Sequence, residues 1–296
     1  MIYRLPEGDE MEEVLREYGD YLVGLGALVQ VEKKAFPDFS SGFILAIGKR
    51  WYWTTEGHVI RDLQRRVEAG QSVSRFHLID WYGTGNNENA IPFDYDNAWK
   101  YWVYNKEEGL DFGVVEVPTN VKDLLQANNV KAVEKSSDYR KRFGSYLMLG
   151  LPEDDVEREL RQIPVGVNVR GRALPSAMHI AKTRCPKGHQ KPHPRFVGRV
   201  GSHEEVGNIV GMSGCPIFGV KGATREVLAL QSSWDDRSRV IFGCPLSVFV
   251  PMVEKAIRTK KAERLMSSDS PRSRAPLGTA LPRSSASPGA MLTAFA

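Results

Sequence analysis

The strongest constraint on the fold is the repeated return, from Tyr21 onward, of short apolar or alternating segments that are punctuated by Gly, Pro or Asn. These segments are YLVGLGALVQVE, GFILAIG, RFHLIDWYG, DFGVVEV, YLMLGLP, FVGRV, CPIFGV, VLALQSS and RVIFGCP. Each is about as long as a strand, and turn residues that recur in this way are typical of β-sandwiches and β-barrels. The sequence therefore predicts a mostly β protein.

Two terminal segments differ from this pattern. Residues 1–20 form an acidic, amphipathic stretch that ends near Gly19 and predicts a short N-terminal helical extension. Residues 247–266 place apolar side chains among Lys and Arg and predict a C-terminal helix. Residues 267–296 are rich in Ser, Pro, Ala and Gly, which predicts a disordered tail.

A charged segment without strand character, residues 126–142, interrupts the β pattern near the middle of the chain. We interpret it as a linker between two β units, residues 21–125 and residues 143–246. No internal repeat is visible by eye in these two units.

Composition indicates the cellular environment of the protein more than its function. The chain has 296 residues and 42% hydrophobic residues, and it has no apolar run of about 20 residues, so we expect no membrane span. The start of the chain lacks the features of a secretory signal, and three cysteines are a poor disulfide framework, so we expect free thiols and a cytoplasmic location. The net charge of +4 is concentrated near the C-terminal end, and we expect no nucleic-acid partner. The oligomeric state stays open.

The segment GMSGCP places Ser213 between two glycines and ahead of a proline. A serine hydroxyl is a weak nucleophile that needs a base, an acid behind the base, and donors for the oxyanion. His58 follows the aromatic run WYWTTEG, and Asp111 heads the strand-like segment DFGVVEV. The order along the chain is therefore His, Asp, Ser.

Four segments together resemble a known enzyme family. SSGFILA, TEGHVI, DFGVVEV and GMSGCP resemble, in the same order, the motifs of trypsin-like serine peptidases of the chymotrypsin fold, in particular bacterial members without disulfides. The resemblance implies two six-stranded antiparallel β-barrels packed at right angles, between the N-terminal helix and the C-terminal helix. The first barrel would carry His58 and Asp111, and the second would carry Ser213.

The resemblance also implies a role for each residue in a serine endopeptidase. Ser213 would be the nucleophile, His58 the general base and acid, and Asp111 the group that orients the imidazole. The backbone N–H groups of Gly211 and Ser213 would form the oxyanion hole. The substrate would be a peptide or protein, and the chemistry would need no metal and no other cofactor.

Substrate-binding residues follow from the same resemblance. Gly207 lies where the family places the floor of the specificity pocket, and no acid occupies that position. The segment QSSWD resembles the strand that pairs with the substrate backbone, with Ser232, Ser233 and Trp234 as contacts. We expect an apolar or small residue before the cleaved bond.

Three residues depart from the family pattern. Met212 stands where secreted digestive members carry an acid that pairs with a freed N-terminus, so we expect no activation by that route. Cys215 replaces the usual glycine and places a thiol near the nucleophile. Glu56 lies two residues before His58, and a carboxylate there would raise the pKa of the histidine if it points inward.

Three other interpretations of the sequence compete with a serine peptidase. The main alternative is a catalytically silent module of the same fold that binds peptides or partner proteins. An α/β-hydrolase is disfavoured because its histidine follows the serine and because Cys215 stands where its elbow needs glycine. Cys185, His189 and His193 suggest a zinc site, but a Pro-rich loop is favoured because a fourth ligand is missing.

Three further features have competing interpretations. The aromatic segment Phe93–Tyr104 lines a subsite near His58 or, as we favour, packs into the core. Asp94 and Asp96 within it are the alternative candidates for the acid. The basic segment Lys255–Arg264 is interpreted as a solvated helix face rather than a binding surface for nucleic acid or lipid.

Overall fold

The fold is taken from a computed structural model of the chain. The described residues are 9–32, 34–80, 90–134, 137–153, 156–163, 166–173, 175–201 and 209–268. Gly207 and nearly all of the predicted tail lie outside these residues. The chain divides into two compact units, Met1–Ile257 and Arg258–Ala296, and the first contains all of the described strands.

Strands form most of the N-terminal half, as the alternating segments predict. They are β1 (Val23–Val31), β2 (Lys34–Ser40), β3 (Phe43–Ile47), β4 (Arg50–Thr55), β5 (Ser72–Asp80), β6 (Ile91–Pro92), β7 (Lys100–Asn105), β8 (Leu110–Val117) and β9 (Ala132–Val133). They build a four-stranded sheet of order β2-β1-β5-β6 and a five-stranded sheet of order β7-β8-β4-β3-β9. Every pair is antiparallel except β3 with β9.

The two N-terminal sheets share one apolar core. Leu25 and Leu78 from the first sheet and Ile44, Trp53 and Val115 from the second are buried in it. An isolated bridge between residues 22 and 43 joins the sheets at one end. The described chain therefore shows two sheets around a core here, and the predicted closing of this half into a barrel stays a prediction, as do the domain boundaries.

The C-terminal half contains the closed barrel that the sequence predicts. Its strands are β10 (Ser145–Gly150), β13 (Ser176–Lys182), β14 (Phe196–Arg199), β15 (Pro216–Lys221), β16 (Thr224–Asp235) and β17 (Val240–Pro245), and β11 (Val156–Ile163) pairs with β12 (Gly166–Ala173) as a separate hairpin. The barrel closes in the order β10-β13-β14-β17-β16-β15. Met148, Ile217 and Ile241 are fully buried in its core.

Four α-helices accompany the strands in the described residues. They are α1 (Asp9–Tyr18), α2 (Gly57–Glu68), α3 (Thr119–Ala127) and α4 (Leu246–Ser268). The predicted C-terminal helix is confirmed as α4, and α1 occupies the predicted N-terminal helical segment. The strand pattern alone did not indicate α3. Within the described residues, no helix combines the length and the apolar character needed to cross a bilayer.

The two halves of the first unit meet in a second core that runs between them. Phe112 of β8 stacks on Phe249 of α4 with ring centroids 5.1 Å apart, and Phe218 of β15 meets the edge of Tyr18 at 5.0 Å. All four rings are buried. Because large aromatic rings bury much area and pack in specific geometries, this contact fixes the two sheets and the barrel against each other. The candidate site lies along this junction.

Candidate active site

The end of β4 positions His58. Antiparallel pairing sets Thr55, the last residue of β4, opposite Gly113 of β8. The chain then turns through Glu56 and starts α2 at Gly57, so that His58 lies in the first helical turn. The imidazole is therefore carried by a helix N-terminus that adjoins the beginning of β8.

Asp111 holds His58 by two hydrogen bonds. Its Oδ1 accepts from the backbone N–H of His58 at 2.9 Å, and its Oδ2 lies 2.8 Å from the ring Nδ1. The first bond satisfies one of the free N–H groups at the start of α2, where a negative charge is also favourable. The second bond selects the tautomer with hydrogen on Nδ1, which leaves Nε2 free as a base.

Gly57 allows this arrangement by having no side chain. A Cβ at this position would collide with the carbonyl oxygen of Val103 and would lie 2.8 Å from that of Phe112. The backbone of β7 and β8 therefore passes directly beside the first turn of α2. The close approach explains why glycine precedes the histidine.

Ser213 lies on a tight turn that leads into the barrel. The N–H of Met212 donates to Ile209 at 3.2 Å, and the N–H of Cys215 donates to Met212 at 3.1 Å. Gly211 and Gly214, on either side, have φ values of 91° and 88°, a region that residues with a Cβ rarely adopt. The two glycines are thus required by the backbone of the turn itself.

Two backbone donors on this turn have no acceptor. Among the described residues, no oxygen accepts a hydrogen bond from the N–H of Gly211 or of Ser213. The N–H of Gly214, in contrast, donates to Gln231 of β16 at 3.0 Å. A pair of free N–H groups on a serine turn is the arrangement that an oxyanion hole requires.

Contacts from the N-terminal half bring His58 and Ser213 to the same place. A Cβ on Gly214 would collide with the hydroxyl of Thr55, so the serine turn lies directly against the end of β4. Ser41, fully buried, donates to the carbonyl of Gly211 at 3.0 Å and accepts from the N–H of Leu151 at 2.9 Å. Ser41 belongs to the motif SSGFILA, whose sequence does not indicate this role.

The hydroxyl of Ser213 is close to the segment that carries His58 without being bonded to the histidine. No hydrogen bond joins Ser213 to the His58 ring within the described part of the chain. The hydroxyl lies instead beside the carboxyl of Glu56, where it lowers the pKa of that group. Catalytic hydrogen bonds are often long in a free enzyme and tighten when the substrate binds.

Glu56 is the least expected residue of the site. Its side chain is fully buried, and Oε2 lies 3.0 Å from Nδ1 of His58. Burial, and then the charge of Asp111, raise the pKa of this carboxyl well above its usual value. Neither carboxyl oxygen has a partner with hydrogen-bond geometry among the described residues, although Ser213 and Gly214 are near enough to influence the pKa of the group.

Cys215 and Met212 are packing residues in this structure. The Cβ of Cys215 would lie 2.7 Å from a Cβ on Gly150, and the terminal carbon of Met212 would lie 3.2 Å from it. Both side chains are fully buried. Burial, followed by the charge of Glu56, raises the pKa of the Cys215 thiol well above its usual value, so this thiol is neutral and is no second nucleophile.

The expected substrate-binding residues differ in exposure. Ser232 is buried, and its hydroxyl donates to the carbonyl of Phe242 at 3.1 Å, so that it belongs to the sheet. Ser233 is exposed, and Trp234 is half-buried under the guanidinium of Arg239 at 5.2 Å. These two residues lie on β16, which pairs with the serine turn through Gln231. Gly207 lies outside the described residues.

The alternative candidates do not gather into a second site. His189 stacks on Phe242 at 5.4 Å, whereas His193 lies 3.8 Å from Glu108. Together with Cys185 they form no metal-ligand group in the described chain. Asp94 is an exposed turn residue whose carboxylate bonds Asn97.

Side chains that could bind a metal ion lie together at one place in the described chain. Glu56, His58 and Asp111 offer ligand atoms that lie within 4.8 Å of one another. A metal ion bound there would replace the hydrogen on Nδ1 and so remove the bond to Asp111. The observed distance of 2.8 Å fits that hydrogen bond, so the residues fit a histidine–carboxylate pair better than an ion.

The aromatic segment Phe93–Tyr104 mostly packs, as favoured. Phe93 and Tyr95 are buried in the core of the N-terminal half. Tyr104 is the exception, since its ring centroid lies 5.7 Å from that of His58 and the guanidinium of Arg61 covers it at 3.9 Å. Tyr104 therefore flanks the site, which the sequence pattern alone did not distinguish.

Comparisons with known proteins find similarity in structure only. The sequence matches no protein-family profile and no curated protein. Among solved structures, the chain resembles trypsin-like serine proteases. A thermostable serine protease, AL20, from an extremophilic microorganism is 16% identical, with 75% of this chain and 90% of that chain covered and a TM-score of 0.40.

Two further solved structures are similar. The protease Anisep from Arthrobacter nicotinovorans is 13% identical, with 77% of this chain and 94% of that chain covered and a TM-score of 0.44. The inactivated protease paralogue S-I1 of the scabies mite is 10% identical, with 83% and 96% covered and a TM-score of 0.49.

Proposed function

We propose that the protein is a serine-type endopeptidase that cleaves peptide bonds through an acyl-enzyme intermediate. The observation that carries the proposal is the position of the His58–Asp111 pair against the turn that bears Ser213. The same turn offers the free N–H groups of Gly211 and Ser213. A nucleophile, an oriented base and oxyanion donors are the groups that acyl transfer by serine needs.

The proposed mechanism assigns one step to each group. Nε2 of His58 takes the hydroxyl proton as Ser213 attacks the scissile carbonyl, and Asp111 stabilises the imidazolium that forms. The N–H groups of Gly211 and Ser213 bind the oxyanion of the tetrahedral intermediate. His58 then protonates the leaving amine, and water releases the acyl group by the reverse sequence.

The proposal extends to the substrate and its surroundings. A peptide would lie along β16 at Ser233 and Trp234 as an added strand, with a small or apolar residue before the cleaved bond. The N-terminal half would act as the first of two barrels packed at right angles. All three cysteines are free, which supports a reducing compartment such as the cytoplasm.

One observation favours the alternative of a silent peptide-binding module. The Ser213 hydroxyl makes no hydrogen bond with His58 in the described chain and lies beside Glu56. If this geometry persisted with peptide bound, the fold would hold a peptide without attacking it.

Hydrolysis of a mixed fluorogenic peptide library separates the two functions. We expect cleavage by the wild-type chain, none by Ser213→Ala, and a rate about 10⁴-fold lower for Asp111→Asn, whose amide favours the wrong imidazole tautomer. Asp94→Asn is the matched control and should cleave like the wild type. Equal rates for Asp111→Asn and Asp94→Asn would contradict the proposal, and peptide binding without cleavage would establish the silent module.

A further inference from the structure

The proposed mechanism assigns no role to the carboxyl of Glu56. It is one of two carboxyl groups at the same ring nitrogen, because Asp111 lies 2.8 Å and Glu56 lies 3.0 Å from Nδ1 of His58. Only Asp111 has hydrogen-bond geometry there, and both oxygens of Glu56 are left without a bonded partner. A buried carboxyl that has no hydrogen-bond partner is costly and calls for an explanation.

Helix capping does not explain Glu56. It stands at the N-cap of α2, where a polar side chain ordinarily accepts from a backbone N–H of the first turn, but it makes no such bond. Asp111 accepts the N–H of His58 instead. The side chain of Glu56 therefore points away from the helix end and into the site.

We propose that Glu56 is a positioning residue that acts on the nucleophile through His58, as a second carboxyl group held against Nδ1 beside Asp111. This inference rests on the proposed function, because it concerns the base of that same site. Glu56 is fully buried and so cannot touch a substrate. Its effect must pass through the imidazole ring.

The ionisable surroundings of Glu56 determine how it acts. Asp111 and His58 face it from β8 and α2, the hydroxyl of Ser213 from the serine turn, and the thiols of Cys215 and Cys244 from the barrel. No lysine or arginine of the described chain forms an ion pair with it. Within the part of the chain that the structure describes, the imidazole is therefore the one cationic group that lies within pairing distance of Glu56.

The direction of the effect follows from this arrangement. Burial and Asp111 raise the pKa of Glu56, so the group is neutral at low pH and gains its charge as the pH rises. A second negative charge 3.0 Å from Nδ1 favours the protonated imidazole over the free base. A charged Glu56 thus opposes the free base on which the proposed mechanism depends.

The pH profile of peptide hydrolysis tests the inference with two matched variants. Glu56→Gln keeps the size of the side chain and removes the ionisable group, so its profile should follow the wild type at low pH, where Glu56 is neutral, and should lie severalfold above it once Glu56 carries its charge, with KM unchanged. Glu116→Gln, on β8 but bonded to Arg50, is the control and should superimpose on the wild type. Superimposed profiles of Glu56→Gln and wild type would overturn the inference.

A second readout does not depend on peptidase activity. With ¹³C-labelled glutamate in the Ser213→Ala chain, the Glu56 carboxyl resonance, assigned by its loss in Glu56→Gln, should titrate above the other glutamates. It should move to lower pH in Asp111→Asn, because one cause of the raised pKa is then removed. A midpoint that does not move would overturn the inference even in an active enzyme. If the chain cleaves nothing but this coupling is present, the proposed function fails and the link between Glu56 and the pair stands.

Discussion

At the scale of single residues, the site depends on polar side chains that are buried. Asp111 is accounted for by its two bonds to His58, and Ser41 by one bond to Gly211 of the serine turn and one from Leu151. Glu56 is different, since it is fully buried with no bonded partner. The sequence singled out Glu56 as unusual, but spacing alone does not show on which side of a strand end a side chain lies.

The raised pKa of Glu56 predicts a pH-dependent stability difference. Above the ordinary pKa of 4.5 the unfolded chain releases this proton while the folded chain keeps it, so folding stability falls as the pH rises toward the raised value. Glu56→Gln has no such proton. Its free energy of unfolding relative to wild type should therefore rise by up to about 1.4 kcal/mol per pH unit above that point.

Urea unfolding of both chains between pH 4 and pH 8 measures this difference. The Glu116→Gln variant, which removes a carboxylate that bonds Arg50, serves as the control. Parallel stability curves for wild type and Glu56→Gln would show that the buried carboxyl is already charged in the folded chain.

At the scale of elements, the site is assembled where β4, α2 and the serine turn approach one another by backbone contact. Gly57 admits the carbonyl of Val103, and Gly214 admits the hydroxyl of Thr55. The motifs TEGHVI and GMSGCP contain these glycines, so the sequence predicted their presence in the site. The contacts they admit come from β7 and β4 and depend on strand pairing, which no local pattern shows.

Gly57→Ala should strongly destabilise the protein. Its Cβ would collide with backbone that cannot move without breaking the β7–β8 pairing, so we expect a loss of about 3 kcal/mol in the free energy of unfolding. Gly144→Ala is the matched control, since its Cβ would meet only the carbonyl of Val220 at an ordinary 3.5 Å. Thermal and urea unfolding measure both, and similar losses for the two variants would contradict the close approach.

Ser41→Ala should weaken the junction between the two halves. The change leaves the N–H of Leu151 and the carbonyl of Gly211 without their shared hydroxyl, and an unpaired buried polar group costs about 1–3 kcal/mol. We expect that loss in urea unfolding together with slower peptide cleavage, because the carbonyl belongs to the serine turn. Ser41→Thr keeps a hydroxyl and should recover part of both. A Ser41→Ala chain with wild-type stability would remove this residue from the junction.

At the scale of the whole molecule, the regular return of turn residues predicted a mostly β chain, and the closed barrel confirms that prediction for the C-terminal half. Two of the strands that were missed lack clean alternation: β7 is half-buried along most of its length, and β2 carries Pro37. The sequence could not show how the side chain of Cys215 is accommodated, because it packs against Gly150 on another strand of the barrel. Contacts between residues on paired strands cannot be predicted from local patterns in a single sequence.

The burial of the cysteines predicts how the folded chain reacts with a thiol reagent. Cys185 is half-buried, whereas Cys215 and Cys244 are buried, and burial raises the pKa of Cys244 to about 12. We expect one thiol to react in the native protein at pH 8 and three in urea, with Cys185→Ser abolishing the native reaction. Rapid native labelling of Cys215 would contradict the packing of the serine turn.

The central claim is that Ser213 is an activated nucleophile, and covalent labelling by a fluorophosphonate tests it most directly. The reagent should add once per wild-type chain, at Ser213 by peptide mapping, and should not label Ser213→Ala. The rate should fall sharply in His58→Ala, because the proposed mechanism assigns the acceptance of the hydroxyl proton to His58. Equal labelling of wild type and Ser213→Ala, or an adduct on another residue, would contradict the account.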